Sequence, residues 1–183
     1  MNLVILHYHL NPGGVTRIIK SQILSIRQNT SDVPILVLCG DDHGSSGLQG
    51  KDIRVDPLLN YWNPSADTAN LERNVNAIIR IIQNNLPEST ILHCHNPNLG
   101  KNPALTLAIF RLAMEGYPVI NHCHDFPEDR PENLKLLKQF LLPLTGLRLS
   151  DILYPKLPRY HYITLNSCDL QRIIDAGVEK SKV

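Results

Sequence analysis

The chain has 183 residues, of which 43% are apolar and 19% charged, with a formal charge of +1. That balance suits one globular domain with a substantial core and excludes a disordered chain. It also gives no electrostatic footprint for nucleic acid, and no apolar run reaches the roughly 18 residues that span a bilayer.

In chain order, apolar runs alternate with segments of helical period. Leu3–Leu6 is a continuous apolar run, as expected of a strand buried on both faces. After "NPGG", Val15, Ile18, Ile19, Gln22, Ile23 and Ile26 fall at helical spacing. Pro34–Cys39 is the second strand, and Gly40 stops it. "GDDHGSSGLQG" has no packing pattern and is expected to be a loop. Ile53–Val55 is a short third strand. Leu71, Val75, Ile78, Ile79, Ile82 and Leu86 mark an amphipathic helix that ends before Pro87. Ile91–His95 is the fourth strand. Asn102 then caps a helix with Pro103 in its first turn, closed by Gly116. Pro118–His122 is a fifth strand, and Pro131 opens a leucine-rich helix to about Leu142. Residues 143–160 carry three prolines and are expected to be irregular. Tyr162–Leu165 is the last strand, followed by a helix capped by Ser167 and ended by Gly177. This alternation defines an α/β class: one doubly wound, Rossmann-like domain over 1–183, with a mostly parallel sheet and helices on both faces.

Three of the apolar runs end in His-x-His: His7-Tyr8-His9, His93-Cys94-His95 and His122-Cys123-His124. Side chains alternate faces along a strand, so both histidines of a pair share one side. In the strand order 3-2-1-4-5 these strands are neighbours, and ligands bind beyond their carboxyl ends at the switch point between strands 1 and 4. Three readings stay open for the pairs: histidines that merely terminate strands, metal ligands, and donors to a polar ligand. The glycine pair Gly13–Gly14 starts the first helix, where backbone amides and the helix dipole attract an anion, and Arg17 follows one turn later. The loop is neither G-x-G-x-x-G nor a P-loop, and a plain tight turn is the alternative. Four separate cysteines without a secretory signal are expected to be free, buried thiols in a reducing cytoplasm. Trp62 is expected to pack in the core, with stacking on a sugar face as the alternative.

"NPGGVTRII", "HCHNPN", "INHCHDFPED" and "ITLNSCDLQRIIDAGV" follow one another in an order that resembles the N-terminal domain of family 4-like glycosyltransferases, which have the B-type fold of two Rossmann-like domains. The resemblance covers nearly the whole chain. It implies that this half holds the acceptor, a sugar or a phosphorylated small molecule. A second, C-terminal domain would bind a nucleotide sugar, UDP- or GDP-hexose. By the resemblance, Gly13 and Gly14 approach the donor diphosphate or the catalytic centre, and His124 with Asp125 forms the catalytic pair at the cleft. Arg17 meets an acceptor phosphate or carboxylate, while His95 and Asn96 line the acceptor pocket; the clustering of the histidine pairs adds His9 as a candidate substrate contact. Hexosyl transfer would proceed without a metal or other cofactor and with retention of configuration.

The sequence ends at Val183, where the family crosses into its donor half, so residues 1–183 are expected not to transfer sugar alone. The location implied is cytoplasmic. Leucines interleaved with Lys135, Lys138, Arg148, Lys156 and Arg159 allow a peripheral contact with the inner face of a membrane, although core packing accounts for them better. Two other functions remain as alternatives: a stand-alone phosphate- or sugar-binding module, and a metal-dependent hydrolase built on the histidine pairs.

Overall fold

The computed structural model describes residues 1–30, 32–43, 48, 52–63 and 71–183. The loop expected at 40–50 therefore falls largely outside the described residues. Six strands form one sheet: β1 (Asn2–His7), β2 (Ile35–Cys39), β3 (Ile53–Val55), β4 (Thr90–His95), β5 (Val119–Cys123) and β6 (Tyr160–Thr164). Their order is β3-β2-β1-β4-β5-β6, and every pairing is parallel. This is the doubly wound Rossmann-like arrangement, with its topological switch between β1 and β4.

Strand parity divides the core in two. Leu3 and Ile5 of β1 join Ile35, Val37 and Cys39 under helix α1 (Gly14–Asn29), which contributes Ile19 and Ile23. Val4, Leu6, Leu92, Cys94, Val119 and Cys123 face the other way into a larger core. That core is roofed by α2 (Leu71–Gln83), α3 (Pro103–Met114), α4 (Pro131–Thr145), α5 (Leu149–Leu153) and α6 (Ser167–Asp175). Right-handed crossovers explain the split. The connection that steps from β1 toward β2 lays its helix on one face, and those that step the opposite way, through β4, β5 and β6, lay theirs on the other.

Several expected boundaries move for identifiable reasons. Helix α4 runs through Pro143 to Thr145, past the expected end near Leu142, and Gly146, with a φ of +65°, ends it. Within the stretch expected to be irregular, residues 149–153 form α5. Asn166, not Ser167, caps α6, with its Oδ1 accepting from Asp169 N at 2.9 Å. All four cysteines are free thiols, but only Cys39, Cys94 and Cys123 are buried; Cys168 is exposed. In α4, Leu137 and Leu141 pack into the core, while Leu142, Leu144 and nearby Leu147 are partly exposed. No described helix is long and apolar enough to cross a membrane.

Candidate functional site

The parity expected of the His-x-His pairs is what the structure contains. Cys94 and Cys123 lie in the larger core, so His93, His95, His122 and His124 stand on the α1 side of the sheet. The imidazoles form a continuous array. His93 stacks on His95 at 4.8 Å between ring centroids, His95 lies 5.1 Å from His124, and His122 lies 4.3 Å from His124. His7 joins at 6.2 Å from His95 and carries His9 beside it at 5.5 Å. Six of the eight histidines in the sequence thus share one face. Burial is the main cause that keeps them uncharged, holding His7 and His93 down to about 4, His122 to about 3, and His95 well below its ordinary value. His124 and His9 are lowered for the same reason, with Asp125 and Asp41 respectively acting against it.

In front of this array, at the carboxyl ends of β1 and β4, a hollow of about 500 Å³ opens. His7, Tyr8, His9 and Asn11 line it together with Gly13–Thr16 at the start of α1. Tyr61, Asn96, Leu99, Lys101, Asp125 and Arg130 complete its wall. Helix α1 has no side-chain cap, because its N-cap residue is Gly13, and no acidic residue in its first turn; the hydroxyl of Thr16 is spent on Asn11 O at 2.7 Å. Its leading amides are therefore left for a ligand. Arg130 pairs with Asp125 at 3.0 Å, and Lys101 Nζ sits 5.2 Å from the centre of the Tyr61 ring. His7 Nδ1 lies 3.2 Å from the carbonyl oxygen of His95. A carbonyl can only accept, so Nδ1 carries the proton and Nε2 of this neutral ring keeps its lone pair.

The structure separates the sequence candidates into three groups. His9, Gly13, Gly14, Asn96 and Asp125 come together on the hollow. His95 and His124 stand behind it, with His95 Nδ1 2.8 Å from His124 Nε2, and His95 is almost wholly buried. Arg17 is exposed and is not among the residues lining the hollow; the cations there are Lys101 and Arg130. Lys101, Arg130 and Tyr61 had no motif to flag them. A positional rule would have found the first two, since each lies in a loop that follows β4 or β5 at its carboxyl end. Tyr61 stands on the hollow beside Tyr8, and its hydroxyl lies 3.1 Å from His9 Nε2. Trp62 turns into the core and packs on Phe140 at 5.3 Å.

Glycine at positions 13 and 14 is not required by the backbone. Gly13 is fully extended, neither residue lies in the left-handed region, and a Cβ on Gly14 would meet nothing within 4 Å. The absent side chains leave room in the hollow and serve no internal packing.

Asn96 holds the ends of β4 and β5 together. It adopts a left-handed conformation (φ 56°), which asparagine tolerates better than other residues with a Cβ. Its Oδ1 accepts from the amides of His124 at 2.6 Å and Asp125 at 3.1 Å, and its carbonyl accepts from Tyr8 Oη at 2.9 Å. Asn96→Ala strands two amides and adds backbone strain. We expect a loss of about 3 kcal/mol in urea unfolding, and a loss under about 1 kcal/mol would show these bonds to be idle.

Among curated proteins, the mannosylglucosyl-3-phosphoglycerate synthase of Petrotoga mobilis is similar to this chain, with 30% identity over 187 aligned positions. The alignment covers 97% of the chain but 35% of that protein, so the chain spans about a third of the relative's length. No protein-family profile matches the chain. No solved structure matches it.

Proposed function

We propose that residues 1–183 are the acceptor-holding part of a glycosyltransferase that moves a hexose from a nucleotide sugar, UDP- or GDP-linked, to a small acidic acceptor. One observation carries this reading: the hollow at the sheet's switch point brings together an uncapped helix N-terminus, Lys101 and Arg130, three independent elements that attract an anion. The similarity to a synthase whose name contains a glycosylated phosphoglycerate supports sugar transfer in general, and an acceptor bearing phosphate and carboxylate in particular. Gly13 and Gly14 let the phosphate approach the amides of α1, while Lys101 and Arg130 balance its charge. His7 and His9 offer imidazole nitrogens to acceptor hydroxyls.

His124, neutral behind the hollow, and Asp125 at its rim meet the donor sugar once a second domain closes over the cleft. Transfer retains configuration and needs no metal, because the departing nucleotide is stabilised by cations and amides. The donor is held by that second domain, so residues 1–183 bind acceptor without turning it over. The work is cytoplasmic, and any membrane contact is peripheral, through the exposed leucines of α4. The hydrolase alternative has less support: His93, His95 and His122 are 1–7% exposed and none lines the hollow. The stand-alone binding module shares the same hollow and differs only in lacking turnover when joined to a donor domain.

The test is calorimetric titration of residues 1–183 with a phosphorylated hydroxy acid such as 3-phosphoglycerate, and with its unphosphorylated counterpart. Lys101→Ala and Arg130→Ala should each weaken binding of the phosphorylated form about tenfold or more, since a charge-assisted bond contributes about 1.5–3 kcal/mol. Gly14→Ala should weaken it as strongly while leaving thermal stability unchanged or slightly raised, because alanine favours the helix. Equal affinity across all four proteins would sink the proposal.

A further inference from the structure

The tight group of nitrogens behind the hollow is not used by the reading above. His93 Nε2 and His122 Nδ1 are 3.3 Å apart, and the side-chain amide of Gln22, from α1, approaches the same His122 Nδ1 at 3.3 Å. One ligand nitrogen from each of His93, His95 and His122 lies within 4.8 Å of the other two. Hydrogen bonding within the group does not satisfy it, since His95 Nε2 and Gln22 Oε1 are both buried without a partner. A neutral imidazole nitrogen without its hydrogen accepts one in-plane bond, yet two groups converge on His122 Nδ1. Four polar side chains from three elements thus gather around one point with surplus lone pairs.

We propose that His93, His95 and His122, completed by the side-chain carbonyl of Gln22, form a binding site for a divalent transition-metal ion, zinc foremost, that ties the ends of β4 and β5 to α1. Geometry supports it. Zinc–nitrogen bonds of about 2.0–2.1 Å in a tetrahedron put neighbouring ligand nitrogens about 3.3–3.4 Å apart, and the His93–His122 separation already matches. Turning the Gln22 amide over exchanges its oxygen and nitrogen, brings the unpartnered Oε1 to the group, and completes an N₃O set. The other contacts suit such an ion as well. His95 keeps Nδ1 against His124 Nε2 at 2.8 Å, so an ion on the far nitrogen fixes the proton on Nδ1 and sets the orientation of His124. None of the four residues lines the hollow, so the ion is structural, and the sugar-transfer proposal stands or falls independently.

The 183-residue chain, stripped with a chelator, is to be reloaded with Zn²⁺ for elemental analysis and with Co²⁺ for visible spectroscopy. We expect one zinc per chain after desalting, a higher melting temperature, and the intense visible bands of tetrahedral Co²⁺. His93→Leu should weaken Zn²⁺ about a hundredfold and abolish the bands. Gln22→Leu, on an outer helix where folding is secure, should weaken it about tenfold and shift them. His43→Ala and His161→Ala, away from the group, should change neither. Retention of well under one equivalent by the unmodified chain overturns the proposal. So does a full equivalent that survives both His93→Leu and Gln22→Leu, or that is lost with His43 and His161.

Discussion

In the presence of a chelator, lowering the pH from 7.5 to 5 is expected to unfold this protein or bring it close to unfolding. His7, His93 and His122 are held at about 4, 4 and 3 inside the fold, against 6.5 in an open chain, chiefly because burial removes water from the charged form. A histidine with a depressed folded pKa is neutral in both states above pH 6.5, so it costs nothing there. As pH falls below 6.5 the unfolded chain takes up protons that the folded one refuses, and stability drops until the folded pKa is reached. By pH 5 each of the three contributes a loss of about 2 kcal/mol, roughly 6 kcal/mol together. His95, also lowered by burial, adds to that loss. A domain of this size has about 5–15 kcal/mol in all.

The surface carboxylates do not confuse the result. Glu72, Asp129 and Asp151 are lowered by Arg111, Arg172 and Arg148, so their stabilisation is lost only below about pH 4.5. Urea midpoints at pH 7.5, 6.5, 5.5 and 5 are the measurement. A midpoint that does not move from 7.5 to 5 would mean the array is hydrated or already charged.

Much of that array was legible in the sequence because strand parity is a hard constraint. Once 93–95 and 122–124 lie on strands, each cysteine and its flanking histidines must take opposite faces. Right-handed crossovers then put β1, β4 and β5 side by side. The residues around the hollow were less legible, because loops obey no such period. Trp62 packs in the core as expected, and the residue that the backbone after the short helical turn 57–59 presents to the hollow is Tyr61, which no pattern marks. That turn is fixed by tertiary bonds: Asn102 Nδ2 donates to the carbonyls of Leu58 at 2.9 Å and Asn60 at 2.7 Å, and Trp62 N donates to Lys101 O at 2.8 Å. The sequence marks Asn102 as a helix cap, and its Oδ1 does accept from Leu105 N at 3.1 Å. Its second task, across more than forty residues, leaves no local trace. Arg17 shows the limit of helical position alone. One turn into the first helix suggests an anion contact, whereas helical phase leaves Arg17 exposed and off the wall of the hollow, where Lys101 and Arg130 stand.

The same tertiary bonds make Gly40→Ala the substitution with the largest expected effect on the fold. Gly40 closes β2, and its amide donates to Tyr8 O at 2.8 Å, which holds its backbone in place. A Cβ there would lie within 2.6 Å of three atoms of Asn60, two of them backbone. Real Cβ atoms do not approach backbone so closely, and neither side can yield cheaply. Residues 58–62 are tied to Lys101 and Asn102 on one side, while Gly40 is tied to β1 on the other. Relief requires breaking the Asn102 bonds or the end of the β1–β2 ladder, a cost of about 3–5 kcal/mol, comparable with other cases of overpacking that move backbone. We expect the variant to unfold at markedly lower urea and, where it folds, to lose the Tyr61–His9 contact and with it the acceptor binding proposed for the hollow. Gly14→Ala is the matched opposite, because its new methyl group meets open space and harms only the ligand. If Gly40→Ala were as stable as the parent, the approach of residues 58–62 to β2 would be wrong, and Tyr61 and Lys101 would leave the hollow together.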